Sequence, residues 1–293
     1  MKKAFIQLHV AVFLAGFTAI LGKLINLNEG ILVWYRLLLT VLILGGILYY
    51  KRQLFSISRK DMIQIFSVGG IVAFHWVTFY GSVKYANVSV AVVCLAASGF
   101  FTSFFEPLIL KRRIAWAEVL LGFIAIFGIY IIFDFHPQYK VGILFGILAS
   151  VGSSLFPIFN KKLITRFSPK ILTFYEITGG LVVLSLLLPV YLYFFKANHY
   201  LPSVSDIFWL IILAGVCTVV SFDLQLNALK KLSPFTSNLA YNLEPVYGII
   251  LGFIIFQENK NLNVSFYWGT GLIILVVVVQ MFRIVAVNPN KKR

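Results

Sequence analysis

Residues 31–50, ILVWYRLLLTVLILGGILYY, form an apolar stretch in which Arg36 is the only charged side chain. At a rise of about 1.5 Å per residue, a helix of this length crosses the roughly 30 Å hydrocarbon core of a bilayer. Further stretches of similar length and composition recur along the chain, separated by short polar segments. We predict ten transmembrane helices at residues 5–24, 31–50, 62–83, 88–110, 115–133, 141–159, 173–195, 206–229, 235–256 and 266–286.

The composition predicts an all-α membrane protein. Hydrophobic residues make up 60% of the 293 positions and charged residues only 12%, whereas a soluble domain has about 25% charged residues. The segments between the predicted helices are too short for a separate soluble domain. Cys94 and Cys217 both fall inside predicted helices, so neither a disulfide framework nor a metal site is expected, and no cofactor is predicted.

The net charge of +15 is distributed unevenly along the chain. In the ten-helix topology, nineteen of the 25 lysines and arginines fall on one side of the membrane, five fall on the other, and Arg36 lies within a span. Basic residues concentrate on the cytoplasmic side of membrane proteins. We therefore predict cytoplasmic termini and a multi-pass protein of the inner membrane, embedded in the lipid bilayer. The excess of basic residues follows from this topology and does not indicate nucleic-acid binding.

The ten stretches divide into two sets of five. Because five is an odd number of crossings, the second set enters the membrane inverted relative to the first. The predicted organisation is a five-helix repeat at residues 1–135, a second at residues 141–287, and a basic cytoplasmic tail at residues 288–293. Inverted repeats are typical of secondary transporters that open alternately to the two sides, so a small-molecule substrate is expected.

Other classes of membrane protein are less well supported by the motifs. The chain contains no His-Glu-x-x-His, Gly-x-Ser-x-Gly or Walker sequence and no pair of Asp-rich motifs, so we predict that it is not an enzyme. A flippase for a lipid or a lipid-linked solute shares this architecture and stays the main alternative. An intramembrane enzyme is the weaker alternative.

Polar residues deep in predicted spans are candidates for the translocation site, because ionisable groups are costly in a bilayer unless they are paired or face water. Glu244 lies near the middle of the ninth span, and Pro245 after it is expected to kink the helix. Tyr241 and Asn238 precede Glu244 on roughly the same face, and Asn242 is adjacent. A carboxylate that only stabilises the kink is the structural alternative.

A second candidate group lies in the third span. His75 is near its middle and has an unperturbed pKa of about 6.5, so it can exchange protons at working pH. Trp76 and Tyr80 offer flat amphipathic surfaces for an organic solute. Asp223 in the eighth span either lines an inner vestibule or pairs with a basic loop residue. Packing alone is the alternative for His75 and the aromatic residues.

Several short motifs resemble those of the drug/metabolite transporter superfamily, and within it the EamA-type ten-helix exporters. These motifs are Ser82-Val83-Lys84-Tyr85-Ala86-Asn87-Val88-Ser89, Asn242-Leu243-Glu244-Pro245-Val246, Ala73-Phe74-His75-Trp76 and Leu110-Lys111-Arg112-Arg113-Ile114. The resemblance implies that spans one, three, four, six, eight and nine surround a cavity. It also implies export of a metabolite such as an amino acid. Transport is either passive or coupled to protons, and His75 and Glu244 are the groups that could couple it. Lys111-Arg112-Arg113 departs from the Gly-Glu-Arg of many members.

The remaining intramembrane charges are predicted to be structural. Arg36 and Glu176 lie on spans that the family places outside the cavity, and inversion puts them too far apart to pair with each other. Each therefore needs a local partner. Glu106, followed by Pro107, lies five residues before Lys111 and is expected to form a salt bridge with basic residues on the inner side. Pro245 is assigned to the helix kink.

Overall fold

A computed structural model describes residues 2–53, 57–111, 113–135, 137–229, 240–241 and 243–287, and within these ranges it contains helices and no strand. The all-α prediction is confirmed for this part of the chain. The helices are α1 (Lys2–Leu24), α2 (Glu29–Tyr50), α3 (Arg59–Tyr85), α4 (Val88–Cys94), α5 (Ala97–Leu110), α6 (Trp116–Phe135), α7 (Lys140–Leu163), α8 (Pro169–Phe194), α9 (Val204–Ala214), α10 (Ser221–Leu229), α11 (Glu244–Phe256) and α12 (Val264–Val287). A π-helical segment, Gly215–Val220, joins α9 to α10.

The described helices confirm a multi-pass membrane protein. Seven stretches are long and apolar enough to cross a bilayer: Lys2–Leu24, Glu29–Tyr50, Arg59–Tyr85, Val88–Leu110, Lys140–Leu163, Pro169–Phe194 and Val204–Gln225. Three shorter apolar helices overlap the other predicted spans: Trp116–Ile132, Glu244–Phe256 and Val264–Val276. The last of these begins two residues before the predicted span at 266–286. Large apolar side chains such as Leu186 and Trp268 are exposed around the bundle, a surface suited to lipid and not to water.

The fourth predicted span differs from an uninterrupted helix. Residues 88–110 form two helices, α4 and α5, separated by a turn at Leu95 and Ala96. The carbonyl oxygen of Cys94 accepts a hydrogen bond of 2.6 Å from the Ser150 hydroxyl of α7. The Ser98 amide, which would bond to Cys94 in a regular helix, bonds to Leu95 at 2.9 Å. A side chain from the other half of the chain thus replaces one bond of the helix.

Helix α3 lies at the centre of the bundle and has its most extensive contacts with α7 and α8. The approach of α3 to α8 requires glycine. A Cβ atom at Gly69 would overlap the carbonyl oxygen of Glu176, and one at Gly180 would lie 2.7 Å from the carbonyl oxygen of Gly69. Helix α1 packs on α10 and α11, and α6 packs on α12. The two halves of the chain are therefore interleaved.

Candidate functional site

Four side chains from three segments meet at the centre of the bundle, and we call them the Arg36 cluster: Arg36 of α2, Trp76 and Tyr80 of α3, and Thr218 of the π-helical segment. The Arg36 guanidinium lies 3.5 Å from the centre of the Trp76 ring. Its Nη1 donates to the Tyr80 hydroxyl at 2.8 Å, and its Nε donates to the Thr218 hydroxyl at 3.1 Å. Arg36 is 3% exposed. This arrangement combines a cation–π contact with two hydrogen bonds to neutral oxygens.

Local structure explains how each member of the Arg36 cluster is held. Trp76 and Tyr80 are four residues apart, so both rings lie on one face of α3. Tyr80 is fully buried and its ring lies directly on Gly22 of α1, where a Cβ atom would overlap it. The Phe222 ring of α10 meets Trp76 edge-on at 6.5 Å. Gly22 and Phe222 therefore hold the Tyr80 and Trp76 rings beside the guanidinium.

The π-helical segment orients the hydroxyl of Thr218. Thr218 Oγ1 donates to the carbonyl oxygen of Leu213, five residues earlier, at 2.8 Å. This leaves the oxygen free to accept the bond from Arg36. Short π-helical insertions in α-helices are frequently found at functional sites. Here the insertion between α9 and α10 directs the Thr218 side chain toward Arg36 of α2.

No acidic side chain that the structure describes neutralises Arg36. The chain has ten acidic residues, and the described carboxylate ion pairs involve Lys23, Lys161, Arg166, Lys170 and Arg283. Arg36 and Glu176 do not pair. Instead, Glu176 lies beside Asn160 of α7, and its Oε1 has no hydrogen-bond partner among the described residues. Arg36 is thus a buried cation surrounded by neutral groups.

The sequence interpretation separated Arg36 from Trp76 and Tyr80, because it placed α2 outside the cavity. The structure instead brings the three side chains together. The sequence did contain an indication of this contact: Arg36 is a charged residue in an otherwise apolar span, and Trp76 and Tyr80 are two aromatic residues at helical spacing on another span. Sequence spacing contains no information about how α2 and α3 are rotated relative to each other, and that rotation decides the contact.

His75 lies on a different side of α3 from the Arg36 cluster. Its Nδ1 is 2.8 Å from the carbonyl oxygen of Ala149 on α7, so Nδ1 carries the hydrogen and donates. The ring lies between Phe79 and Phe156, with centroid distances of 6.2 and 6.0 Å. Gly152 of α7 faces the His75 backbone closely. His75 therefore links α3 to α7, and its Nε2 is the nitrogen available for another contact.

Glu244 begins α11, and its half-buried side chain has no ion-pair partner among the described residues. The carbonyl oxygen of Glu244 lies against Gly16 near the middle of α1, which places it deep in the bundle. Tyr241 lies beside Glu244 and Ser221, and Pro245 is buried at the first turn of α11. Two other predicted site residues, Asn238 and Asn242, lie outside the described residues.

Asp223 lies at the wall of a cleft of about 480 Å³ between α8 and α10. The polar side chains around it come from the end of α2, the start of α8 and α10: Lys51, Gln53, Ser168, Lys170, Asp223 and Asn227. Lys170 Nζ is 3.4 Å from Asp223 Oδ1, a distance that makes an ion pair but not a well-formed hydrogen bond. Asp223 therefore both lines a cleft and pairs with a basic residue.

Two ion pairs tie the ends of helices from different halves of the chain. In the first, which we call the α1 pair, Lys23 at the end of α1 lies 2.7 Å from Glu258, just after α11. In the second, the α7 pair, Lys161 at the end of α7 lies 3.1 Å from Glu106 near the end of α5. Pro107 follows Glu106 within α5, and its carbonyl accepts from the Lys111 amide. The chain has two Glu-Pro sequences in apolar spans, and their surroundings differ. Glu106 forms an ion pair with Lys161, whereas Glu244 begins α11 beside Gly16 of α1.

The α1 pair is the more buried of the two. Glu258 also accepts hydrogen bonds from the backbone amides of Val88 and Ser89 and from the Ser89 hydroxyl, at 3.1, 2.9 and 2.7 Å. These bonds cap the start of α4 with a carboxylate. Burial raises the pKa of the Glu258 carboxyl, but hydrogen bonds from Lys23 and Ser89 outweigh burial and hold the pKa below its usual value. Glu258 was absent from the residues singled out in the sequence.

Metal binding has no support in the described part of the chain. Histidine, cysteine and carboxylate side chains there do not gather in any group of three that could hold an ion. Cys94 and Cys217 are buried free thiols.

Comparison with known proteins assigns the architecture to a transporter family. The EamA-like transporter family matches residues 2–134 and again residues 140–282. A crystal structure of another protein superposes on 96% of this chain and 98% of its own with a TM-score of 0.63 and 13% identity, which shows a shared fold.

Three relatives are transporters by name. One from Clostridium kluyveri, an uncharacterized transporter, is 22% identical over 100% of this chain and 95% of its own. The transporter YetK of Bacillus subtilis is 23% identical over 87% of this chain and 80% of its own. The S-adenosylmethionine uptake transporter of Rickettsia prowazekii is 25% identical over 75% of this chain and 71% of its own.

Proposed function

Because the chain belongs to the EamA-like transporter family, we propose that it is a secondary transporter that exports a small organic metabolite across the inner membrane by alternating access. Amino acids and similar compounds are the proposed substrates. The name of the Rickettsia prowazekii relative supports uptake of a metabolite as the second candidate. The experiment below distinguishes the two directions.

Ten crossings in two inverted halves are part of the proposal, and the helix contacts support them. In the proposed repeat, α7 is the counterpart of α1, and α10 is the counterpart of α3. A contact between α1 and α10 should then be matched by a contact between α7 and α3, and both contacts occur. Likewise, α11 is the counterpart of α5, so the α1–α11 contact should be matched by an α7–α5 contact, and both of these also occur. The family match to each half of the chain agrees with this pattern.

The observation that best supports alternating access is the matched position of the α1 and α7 pairs. Lys23 ends the first helix of one half, and Lys161 ends the first helix of the other. Each lysine pairs with a glutamate at the end of the fourth span of the opposite half. In an inverted arrangement these pairs lie at opposite faces of the membrane. We propose that the α1 pair closes the outer face and the α7 pair closes the inner face.

Proton coupling is the second element of the mechanism that we propose. Glu244 has no ion-pair partner among the described residues and lies beside α1, one of the helices joined by the α1 pair. Its carboxyl group can bind a proton in one state of the carrier and release it in the other. His75, through its Nε2, is the other candidate. The polar cleft beside Asp223 is the proposed inner vestibule.

The orientation can be tested with single cysteines in a cysteine-free background. Lys140, Asn198 and Ser58 are exposed, so a cysteine at each can react without opening the fold. We expect an impermeant thiol reagent added to intact cells to label positions 140 and 198 and not position 58. The opposite pattern would overturn the proposed orientation.

The function itself is tested by metabolite profiles of cells lacking the gene and of the same cells complemented with it. Export predicts that a metabolite accumulates inside the cells that lack the gene and decreases in their medium. The reverse change supports uptake. A change in the distribution of a lipid between leaflets, without a change in soluble metabolites, would favour the flippase, and identical profiles would contradict transport.

A further inference from the structure

We propose that Arg36 is the recognition site for one carboxylate group of the transported solute, so that the substrates are organic monocarboxylates. This inference rests on the proposed transport function and adds to it the chemical class of the substrate. It is carried by the Arg36 cluster: a buried guanidinium held by neutral groups, with aromatic walls, between helices of both halves of the chain.

The charge of Arg36 is the first argument. Arginine does not deprotonate in proteins, and an unpaired charge inside a membrane protein is unfavourable unless an anion or water compensates it. Within the described residues, the contacts of the guanidinium are the Trp76 ring and the hydroxyl oxygens of Tyr80 and Thr218. None of these groups is negatively charged. An anionic group that enters the site would therefore meet a full positive charge.

The hydrogen-bonding geometry is the second argument. Guanidinium has five N–H donors in a planar fork that matches a carboxylate. Tyr80 and Thr218 each accept one of these bonds, through Nη1 and Nε. Among the described residues, Nη2 has no hydrogen-bond acceptor. Nη2 and the second hydrogen of Nη1 can together bind the two oxygens of a carboxylate, while Trp76 covers one face of the fork.

The number of charges favours a monocarboxylate over a phosphate or a dicarboxylate. A dianion would need a second cation, and the lysines at the ends of the neighbouring helices α1 and α3 have other partners. Lys23 pairs with Glu258, and Lys84 donates to the carbonyl oxygen of Ile25 at 2.9 Å. The Trp76, Tyr80 and Phe222 rings offer an apolar surface for the rest of the solute. One positive charge beside aromatic rings fits an amino acid or another small organic acid.

Two adjoining cavities extend toward the Arg36 cluster as far as the Phe222 ring. The polar cleft at Asp223 adjoins a smaller cavity of about 150 Å³, which shares Pro169, Lys170 and Asp223 with it. Phe222 is among the residues that line that cavity. The Phe222 ring meets Trp76 edge-on, so recognition by Arg36 requires this ring to move before a solute in the cavity can reach the guanidinium.

The test uses proteoliposomes loaded with a complete small-molecule extract of the native cells. Mass spectrometry identifies the solutes that leave vesicles containing the full-length protein and stay in protein-free vesicles. We expect these solutes to carry one carboxylate. For the solute that leaves fastest, Arg36→Gln should lower the rate at least tenfold, and Arg36→Lys should also lower it, because lysine lacks the planar fork.

Arg166→Gln provides the matched control, because it removes an arginine from an exposed ion pair with Asp61, and its transport should equal that of the parent. A second measurement needs only the parent, in case Arg36 variants do not fold. Excess unlabelled solute should compete with efflux, whereas its carboxamide should compete at least tenfold more weakly.

Four outcomes contradict the proposal. Equal competition by the carboxamide, or transported solutes without a carboxylate, would overturn recognition by Arg36 while leaving the transport function intact. Folded Arg36→Gln protein with parental efflux would do the same. If no solute leaves the parent vesicles, the transport function itself fails, and the inference fails with it.

Discussion

Replacing Glu258 with glutamine is expected to open the face of the protein that we propose the α1 pair to close. The carboxylate accepts bonds from Lys23 at 2.7 Å and from the amides of Val88 and Ser89 at 3.1 and 2.9 Å. Glutamine is uncharged and presents an NH₂ group to one set of these donors. A hydrogen bond to a charged group contributes about 1.5–3 kcal/mol, and an unsatisfied buried donor costs about 1–3 kcal/mol.

We therefore expect Glu258→Gln to destabilise the closed state by about 3 kcal/mol, which corresponds to roughly a hundredfold change in the ratio of closed to open protein. The reporter is a cysteine at Val92, which is fully buried in α4 against Gly248 of α11. Cys94 and Cys217 are replaced by alanine in all variants. The rate at which an impermeant maleimide labels position 92 in intact cells should rise by at least tenfold.

Glu106→Gln in the α7 pair is the matched control. The Lys161 and Glu106 side chains are 35% and 28% exposed, and exposed ion pairs contribute about 0–1 kcal/mol. This variant should change labelling at position 92 less than fivefold, and in the opposite direction, because it weakens closure of the other face. Unchanged labelling in folded Glu258→Gln protein, or a larger increase in Glu106→Gln, would refute the assignment of the two pairs to opposite faces.

Three further predictions concern stability and coupling. The native pKa of Glu258 lies below its unfolded value of about 4.3. The stabilisation by its carboxylate is therefore present above that pH and is lost as the pH falls through the native pKa. Below about pH 4, the melting temperature of the parent should fall more steeply than that of Glu258→Gln. Gly69→Ala should destabilise the protein by about 1–3 kcal/mol. Gly46→Ala is the control: its new methyl group meets no atom within 4 Å, and it should stabilise α2 by roughly 0.5–1 kcal/mol. Thermal unfolding in one detergent compares the two variants, and equal melting temperatures would contradict the close crossing at Gly69. If Glu244 couples protons, efflux from proteoliposomes should respond to an imposed pH gradient in the parent and lose that response in Glu244→Gln; an unchanged response would remove Glu244 as the coupling group.

The sequence was sufficient for the features that depend on composition. Long apolar stretches predict helices in a bilayer, and the motifs around Ser82 and Glu244 predict the transporter family to which the chain belongs. Spacing along one helix also placed Glu106 close to basic residues at the end of its span. The structure puts Lys161 3.1 Å from Glu106.

Features that depend on contacts between distant helices were not predicted. Lys23 and Glu258 are 235 residues apart, and neither residue carries a motif that indicates the other. The break between α4 and α5 depends on a hydroxyl of α7, so the sequence of residues 88–110 alone favours one continuous helix. Arg36 was assigned to the periphery for the same reason, since its contacts with α3 depend on the rotation of two helices.

The glycine contact between α3 and α8 bears on whether either half of the chain can fold without the other. Gly69 and Gly180 lie in different family repeats, so each repeat supplies the surface that the other needs for assembly. We therefore expect neither half to fold stably when it is expressed alone, and we expect the two halves to assemble when they are expressed together as separate chains. Substitutions on the helix surface of one half then constrain those that the other half can accept.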